Sequence, residues 1–435
     1  MIEILQIFFH LFIFFLFTYF PFNKFTFSRF SFAYINSNYN VFFINIIFIL
    51  NIFLLFSFFK INLNFIFIII FLTYLVLFFF NFREIICETF SKKNISLKCA
   101  FIFICCCLFF KTAANIELGW DALSYWLSKV NNFYDNKSSF DMPHPSSPQL
   151  GSYIWAFFWK NSFINKEYLG RLFFDYLYLI SIFIVADSLK SKSDFKKLIF
   201  IFFLILLSFD YNNTLAGYQD YLLFVLLIFC SKVLLELNSR LSISQNLIYS
   251  LLLVMTANLL PWVKNEGIFY AFFIGIIYVF TSPKLLITRF IFTGIILINI
   301  IIRILFVKLI LESSQIFQDP LTSDIIFKNV IDVRELIFRI YYISFYLIRS
   351  MFYYPIILIN FICLIFFFKY LYNKNIYYIF FFSNLFFIYA IYITTTSPFV
   401  WQMQTSMNRL LLQTSGFYLF LLVHLLNKKK IFRFY

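Results

Sequence analysis

The chain reads as a series of long apolar runs separated by short polar breaks, a pattern that predicts helices crossing a membrane. A spanning helix needs about 20 apolar residues. The candidate runs lie near 2–20, 41–59, 62–82, 97–114, 171–187, 198–210, 220–236, 246–262, 267–281, 287–309, 352–369, 376–393 and 409–426. They predict an all-α fold, a polytopic transmembrane helical bundle of about 11–13 helices. The first run has no basic residues ahead of it and no small-residue cleavage site before Pro21 and Lys24, so it is expected to be retained rather than removed as a signal peptide.

The apolar pattern is interrupted at length by Gly119 to Leu150, GWDALSYWLSKVNNFYDNKSSFDMPHPSSPQL, which is polar and studded with proline. This divides the chain into N-terminal transmembrane helices (1–114), a long first loop (115–170) and a transmembrane core with short turns (171–435). Basic residues in short loops set the orientation. Lys24, Arg29, Arg83, Lys92, Lys93, Lys98, Lys190, Lys192, Lys196, Lys197, Arg240, Lys284, Arg289, Lys369, Lys374 and Lys428 to Lys430 share one side, expected to face the cytoplasm. The other side receives 115–170, the 211–219 turn, the turn at Lys264 to Glu266, 311–351 and 394–408. The polar residues of interest are thus expected outside the cytoplasm, at an inner or plasma membrane. This scheme requires 150–160 and 336–350 to be interfacial helices, a role that suits Trp155 and Trp159 in one and Arg334, Arg339 and Arg349 around the other.

Composition supports the class without adding chemistry. Of 435 residues, 62% are hydrophobic and 13% charged, and the mean hydropathy is +0.86, which excludes an ordinary soluble domain. The 72 phenylalanines go with heavy use of Ile, Asn, Lys and Tyr, as an AT-rich genome would produce, and carry no functional weight. A formal charge of +15 sits mostly in short loops, where an anionic inner membrane face accounts for it; nucleic acid is not an expected partner. Cys105, Cys106 and Cys107 stand in one apolar run without metal-ligand spacing and read as thiols within a helix.

Four polar features share the outer face. Asp121 follows Trp120 a few residues after a helix exit and precedes Tyr125 and Trp126, with Glu117 as the neighbouring carboxylate; His144 follows between Pro143 and Pro145. The second is Ala216-Gly217-Tyr218-Gln219-Asp220-Tyr221, where Asp220 heads an apolar run either as a helix cap or as a working acid. The third, Pro261-Trp262-Val263-Lys264-Asn265-Glu266-Gly267, reads as a salt-bridged hairpin or as an ionic site, because charges so deep in apolar sequence are expensive. The fourth is Thr405-Ser406-Met407-Asn408-Arg409, where an outward arginine runs against inside-positive sorting.

The order GWDALSYW, HPSSPQL, AGYQDY, VKNEG and TSMNRLLLQ, over about 110–415, resembles the bacterial polytopic glycosyltransferases of the GT-C superfamily, relatives of protein mannosyltransferases and aminoarabinose transferases. It differs from the best-known members in having Trp120-Asp121-Ala122 where protein mannosyltransferases show an acidic pair, and in placing several helices before the loop. The resemblance implies transfer of a sugar from a polyprenyl-phosphate donor to an extracytoplasmic lipid, glycan or protein. Asp121, with Glu117 beside it, would be the catalytic carboxylate. It would take the acceptor's proton in a single inverting displacement. Arg409 and Lys264 would hold the departing phosphate. His144, Asp220, Glu266, Tyr125 and Trp126 are the substrate-binding candidates. No metal-ligand spacing surrounds His144 or Asp141, so a divalent cation is neither required nor excluded, and no Gly-rich loop cradles a nucleotide. A transporter or lipid flippase, with the same charges as coupling residues, is the alternative from another class, and a surface-polysaccharide polymerase or ligase the alternative enzyme.

Overall fold

The computed structural model describes residues 2–22, 38–83, 85, 95–191, 193–210, 215–238, 242–281, 286–311, 331–367, 374–395 and 398–428. Among the residues used above to orient the chain, Lys24, Arg29, Lys92, Lys93, Lys192, Arg240, Lys284, Lys369, Lys429 and Lys430 lie outside this set, as do 211–214, 312–330 and 396–397 of the outer segments.

Every regular element among the described residues is helical. Among the described residues, nine helical stretches are long and apolar enough to cross a membrane, with Ile243–Val263 and Phe399–Asn427 each counted as one stretch, or ten if Val333–Tyr353 and Pro355–Phe366, bent by 105°, form one broken span. The chain is an integral membrane protein. The number falls below about 11–13 for a physical reason. Helices Asp194–Ser208, Glu266–Thr281 and Pro355–Phe367 have 15, 16 and 13 residues, too short at about 1.5 Å per residue to cross about 30 Å of hydrocarbon unaided. Asp220–Leu237 is long enough but carries Asp220, Lys232 and Glu236.

The chain forms two compact units. The first comprises Met1–Pro143, Gln149–Leu222 and Leu426–Tyr435. It contains α1 (Ile2–Tyr19), α2 (Asn38–Ser57), α3 (Leu63–Phe80), α4 (Ile95–Ala114), α5 (Leu127–Tyr134), α6 (Leu150–Lys160), α7 (Tyr168–Asp187) and α8 (Asp194–Ser208). Helix α7 is buried along its whole length, touching α1, α2, α4, α6 and α8. Phe14 of α1 anchors this centre, its ring 4.9 Å from Phe158, 5.1 Å from Phe173 and 5.6 Å from Tyr176. Lipid tails are as apolar as these rings, so close packing rather than release of water holds such helices together.

Helix α6 departs from the interfacial role expected of 150–160. Leu150 to Phe158 are all buried, among α2, α3, α5 and α7, so the helix has no wet face to lay on a membrane surface. Small residues explain it. A Cβ on Gly151 would strike the Gln219 side chain, and one on Gly170 would strike the Trp155 carbonyl, so α6 and α7 meet nearly backbone to backbone.

The second unit comprises His144–Pro148 and Leu223–Leu425. Helix α9 (Asp220–Leu237) leads into it, followed by α10 (Ile243–Ala257), a helical turn at Leu260–Val263, α11 (Glu266–Thr281), α12 (Leu286–Leu305) with a π-turn at Phe306–Ile310, α13 (Val333–Tyr353), α14 (Pro355–Phe367), α15 (Lys374–Thr394), α16 (Phe399–Ser415) and α17 (Leu419–Lys428). Helix α11 packs on α12 and α15, and α13 on α15 and α16. The segment expected at 336–350 as an interfacial helix is part of α13, a continuous helix of 21 residues. Its Arg339 is buried. It pairs with Glu335 at 2.7 Å and donates to the carbonyls of Tyr392, Ile393 and Thr395 at 3.1, 3.2 and 3.1 Å, satisfying the end of α15.

Candidate functional site

In the first unit the two motifs GWDALSYW and AGYQDY fold onto each other. After α4 ends at Ala114, Gly119 N–H donates to the Ala216 carbonyl at 2.9 Å, and a side chain at Gly119 would run into the Tyr218 ring. Gly217 turns the chain at φ +82°, a conformation that suits glycine, with Trp155 and Ala122 closing over it. Gln219 donates to Ser152 Oγ at 3.4 Å, and Ser152 to the Trp126 carbonyl at 3.4 Å. Tyr221 donates to the Ser208 carbonyl at 2.6 Å and accepts from Asp210 N–H at 2.7 Å. Nearly every position of AGYQDY therefore has a packing or hydrogen-bonding task.

This frame fixes Asp121. The residue lies at the head of a π-turn, Ala122–Trp126, whose first residue is wedged beside Gly217; its side chain makes no capping bond and is half-buried. A π-turn departs from regular helical bonding and often marks a functional position. Trp120 is exposed and meets Tyr125 edge-on at 5.7 Å. Trp126 is buried with its Nε1 donor unpartnered among the described residues, and the wholly buried Lys129 ammonium lies 5.5 Å from its ring centre. Glu117 is exposed, in contrast to half-buried Asp121. Asp220 is fully buried as the first residue of α9.

One charged group in this unit escaped the reading of the sequence. Arg171 on α7 is 1% exposed, its Nε 2.9 Å from Glu167 and its Nη2 donating to the same carboxylate at 3.2 Å, while Nη1 donates to the Leu215 carbonyl. Burial pushes the Glu167 carboxyl above its usual range, and the Arg171 charge pulls the other way. One turn further, Asp175 is buried and accepts from Thr112. Glu167, Arg171 and Asp175 recur every four residues, a spacing that marks one helix face.

In the second unit Lys264 and Glu266 form the ion pair foreseen for the hairpin, at 3.7 Å. Gly267 allows the tight break before α11: a Cβ there would collide with the Leu260 carbonyl. The Tyr392 hydroxyl, hydrogen-bonded to Ser406 at 2.7 Å, lies within electrostatic reach of both Glu266 and Arg409, so three of the expected residues share one neighbourhood. Arg409 is half-buried on α16. Just before it, α13 and α16 border a groove of about 340 Å³ lined by Tyr346, Arg349, Ser350 and Tyr353 from one helix and Met403, Gln404 and Asn408 from the other. Gln404 donates to the Tyr346 hydroxyl at 2.8 Å, and the Arg349 guanidinium lies 5.8 Å from that ring's centre.

His144 is exposed, at φ +51°, and its carbonyl accepts from Ser147 N–H at 3.1 Å in a tight turn. The second unit also holds a buried cation that sequence reading passed over, Arg303 on α12, which donates to the Ser146 carbonyl at 3.2 Å. Among the described residues, no group of three metal-ligating side chains comes together. The candidate residues thus fall in two sets: Glu117, Asp121, Tyr125, Trp126 and Asp220 in the first unit, and His144, Lys264, Glu266 and Arg409 in the second.

Comparison with known proteins finds no matching family model, no matching curated protein and no matching solved structure.

Proposed function

We propose that this protein is a GT-C type membrane glycosyltransferase that moves a sugar from a polyprenyl-phosphate donor to an extracytoplasmic lipid, glycan or protein. The observation that carries this reading is the neighbourhood of Lys264, Glu266, Tyr392 and Arg409 next to the α13–α16 groove. Two cations suit a phosphate leaving group, and a wall of tyrosines, side-chain amides and one arginine, with no acidic side chain among the described residues, suits a sugar carrying negative charge. In the reaction the acceptor oxygen attacks the anomeric carbon, its proton passes to a carboxylate base, the role the sequence suggests for Asp121, and the bond from that carbon to the phosphate oxygen breaks. The negative charge that develops on the polyprenyl phosphate is met by Arg409 and Lys264. A single displacement inverts the anomeric centre.

The test is transfer of radiolabelled sugar from polyprenyl-phosphate donors to membrane lipid and glycan acceptors, with wild type beside Asp121→Asn. Donor-dependent transfer that the folded variant loses supports the reading; equal transfer by both removes Asp121 from the role of base; no transfer with any common donor sinks the enzyme. A transporter or lipid flippase is a second reading, favoured by the buried Asp175 inside the α7 span. In that case Asp175→Asn abolishes movement of polyprenyl-linked sugars across vesicle membranes, and Asp121→Asn does not.

A further inference from the structure

Arg303 is a deeply buried cation with little compensation among the described residues. It is 1% exposed within the Leu286–Ile310 span, and its Nε and Nη1 have no hydrogen-bond partner among the described residues. Its other contacts are the Ser146 carbonyl, which accepts from Nη2 at 3.2 Å, and the face of Trp262, whose ring centre is 5.3 Å from the guanidinium carbon. No carboxylate pairs with it among the described residues. A guanidinium withdrawn from water in a membrane-spanning helix, with two nitrogens left over, is too expensive to persist as mere packing.

The surroundings are built to hold the cation still rather than to neutralise it. Trp262 is buried and donates through Nε1 to Asn299 Oδ1 at 3.2 Å, and Asn299 in turn donates to the Asn258 carbonyl at 3.0 Å. The stacking face is therefore fixed by its own hydrogen bonds. On another side stands the HPSSP turn, closed by Ser147 N–H on the His144 carbonyl, with Ser147 and Pro148 buried and the His144 ring exposed. Directly after Arg303 the helix loosens into the π-turn Phe306–Ile310, a departure that often accompanies a binding site. Ile298, Ile301, Ile302 and Leu305 on the same helix are exposed, as a lipid-facing surface would be.

We propose that Arg303, stacked on Trp262 and roofed by His144–Pro148, is a binding site for a phosphate-type oxyanion. Phosphate oxygens accept the hydrogen bonds that Nε and Nη1 lack and supply the missing negative charge, with the planar fork giving paired contacts. The anion site stands on this geometry. Only the assignment of its occupant to the lipid-linked donor rests on the transferase reading above.

The test uses the full chain in maltoside detergent, which carries no phosphate, and measures binding by calorimetry and by the shift in unfolding temperature. The probes are inorganic phosphate, a long-chain polyprenyl phosphate and the corresponding uncharged polyprenol. Wild type is expected to bind and be stabilised by a phosphate probe and not by the polyprenol. Arg303→Met should weaken phosphate binding about tenfold or more while leaving the protein folded, and Arg303→Lys should retain part of it. Binding of polyprenyl phosphate alone identifies a lipid source, and equal binding of inorganic phosphate identifies a soluble one; both support the site. Wild-type-like binding by Arg303→Met, or no phosphate binding by wild type, overturns it. Should Arg303→Met fail to fold, Trp262→Phe and Arg303→Lys decide: both binding like wild type overturns the site. None of these measurements requires sugar transfer, so a failed transfer assay and a failed anion site are separate results.

Discussion

Arg171 and Arg303 are the same residue, equally buried at 1% exposure, each near a tryptophan face and each bonded to a backbone carbonyl, yet they sit in opposite electrostatic circumstances. Arg171 lies on α7, fully buried by protein, and a carboxylate four residues earlier grips two of its nitrogens. Arg303 lies on α12, whose span is only 28% buried, and keeps two nitrogens without partners among the described residues. The first completes its own charge balance and so ties helices together. The second has no such partner among the described residues, and the anion proposed above would supply it. Burial of a cation therefore says little about function until its counter-charge is found.

The largest effect expected from breaking this contrast is Arg171→Met, which leaves the half-buried Glu167 without its partner and should destabilise the protein by about 3 kcal/mol. Adding Glu167→Gln should recover a good part of that loss in thermal unfolding in detergent; no recovery would mean that Arg171 acts through the Leu215 carbonyl and Trp155 contacts instead. Asp121→Asn should lower transfer about 100-fold or more without moving the unfolding temperature. A parallel loss of stability would place Asp121 among the structural charges with Glu167. Gly217→Ala asks how firmly the frame around Asp121 depends on one turn: the φ of +82° and the nearby Trp155 ring should cost about 1–3 kcal/mol. Arg303→Met should change the stability of the unliganded protein by less than about 1 kcal/mol, or raise it, because an uncompensated charge is removed. A large loss there would erase the contrast with Arg171.

The smallest effect concerns Asp141, held below the usual carboxylate range chiefly by its hydrogen bond with Lys60, 3.1 Å away, with help from Ser138. A carboxyl lowered on folding contributes stability that is complete above its unfolded value of about 4. The contribution disappears as the pH falls through the lower folded value. Lys60→Met should therefore flatten the acid side of the stability profile slightly, the pair being largely exposed.

Much of this was legible along the chain, and specific residues show why the rest was not. Lys264 and Glu266, two apart at a Pro- and Gly-flanked break, announced their ion pair. The sorting of basic residues asks for an interfacial helix at 150–160, whereas Gly151 and Gly170 let α6 sink between its neighbours. Glu167, Arg171 and Asp175 carried a readable four-residue spacing that would have marked a charged helix face. The groove of Tyr346, Arg349, Tyr353, Gln404 and Asn408 had no comparable signal, since its halves lie some 50 residues apart.

The sequence by itself determined that this is a helical membrane protein and where most of its helices run, because hydrocarbon satisfies no backbone hydrogen bond and only long apolar helices meet that demand. It also marked Asp121, Lys264, Glu266 and Arg409 as charges needing a reason. Only the tertiary structure decided which charges had one already. Arg171 and Arg303 look alike in an apolar run, and the difference between a charge held in an ion pair and one left without a counter-charge among the described residues depends on what lies within about 4 Å of each guanidinium.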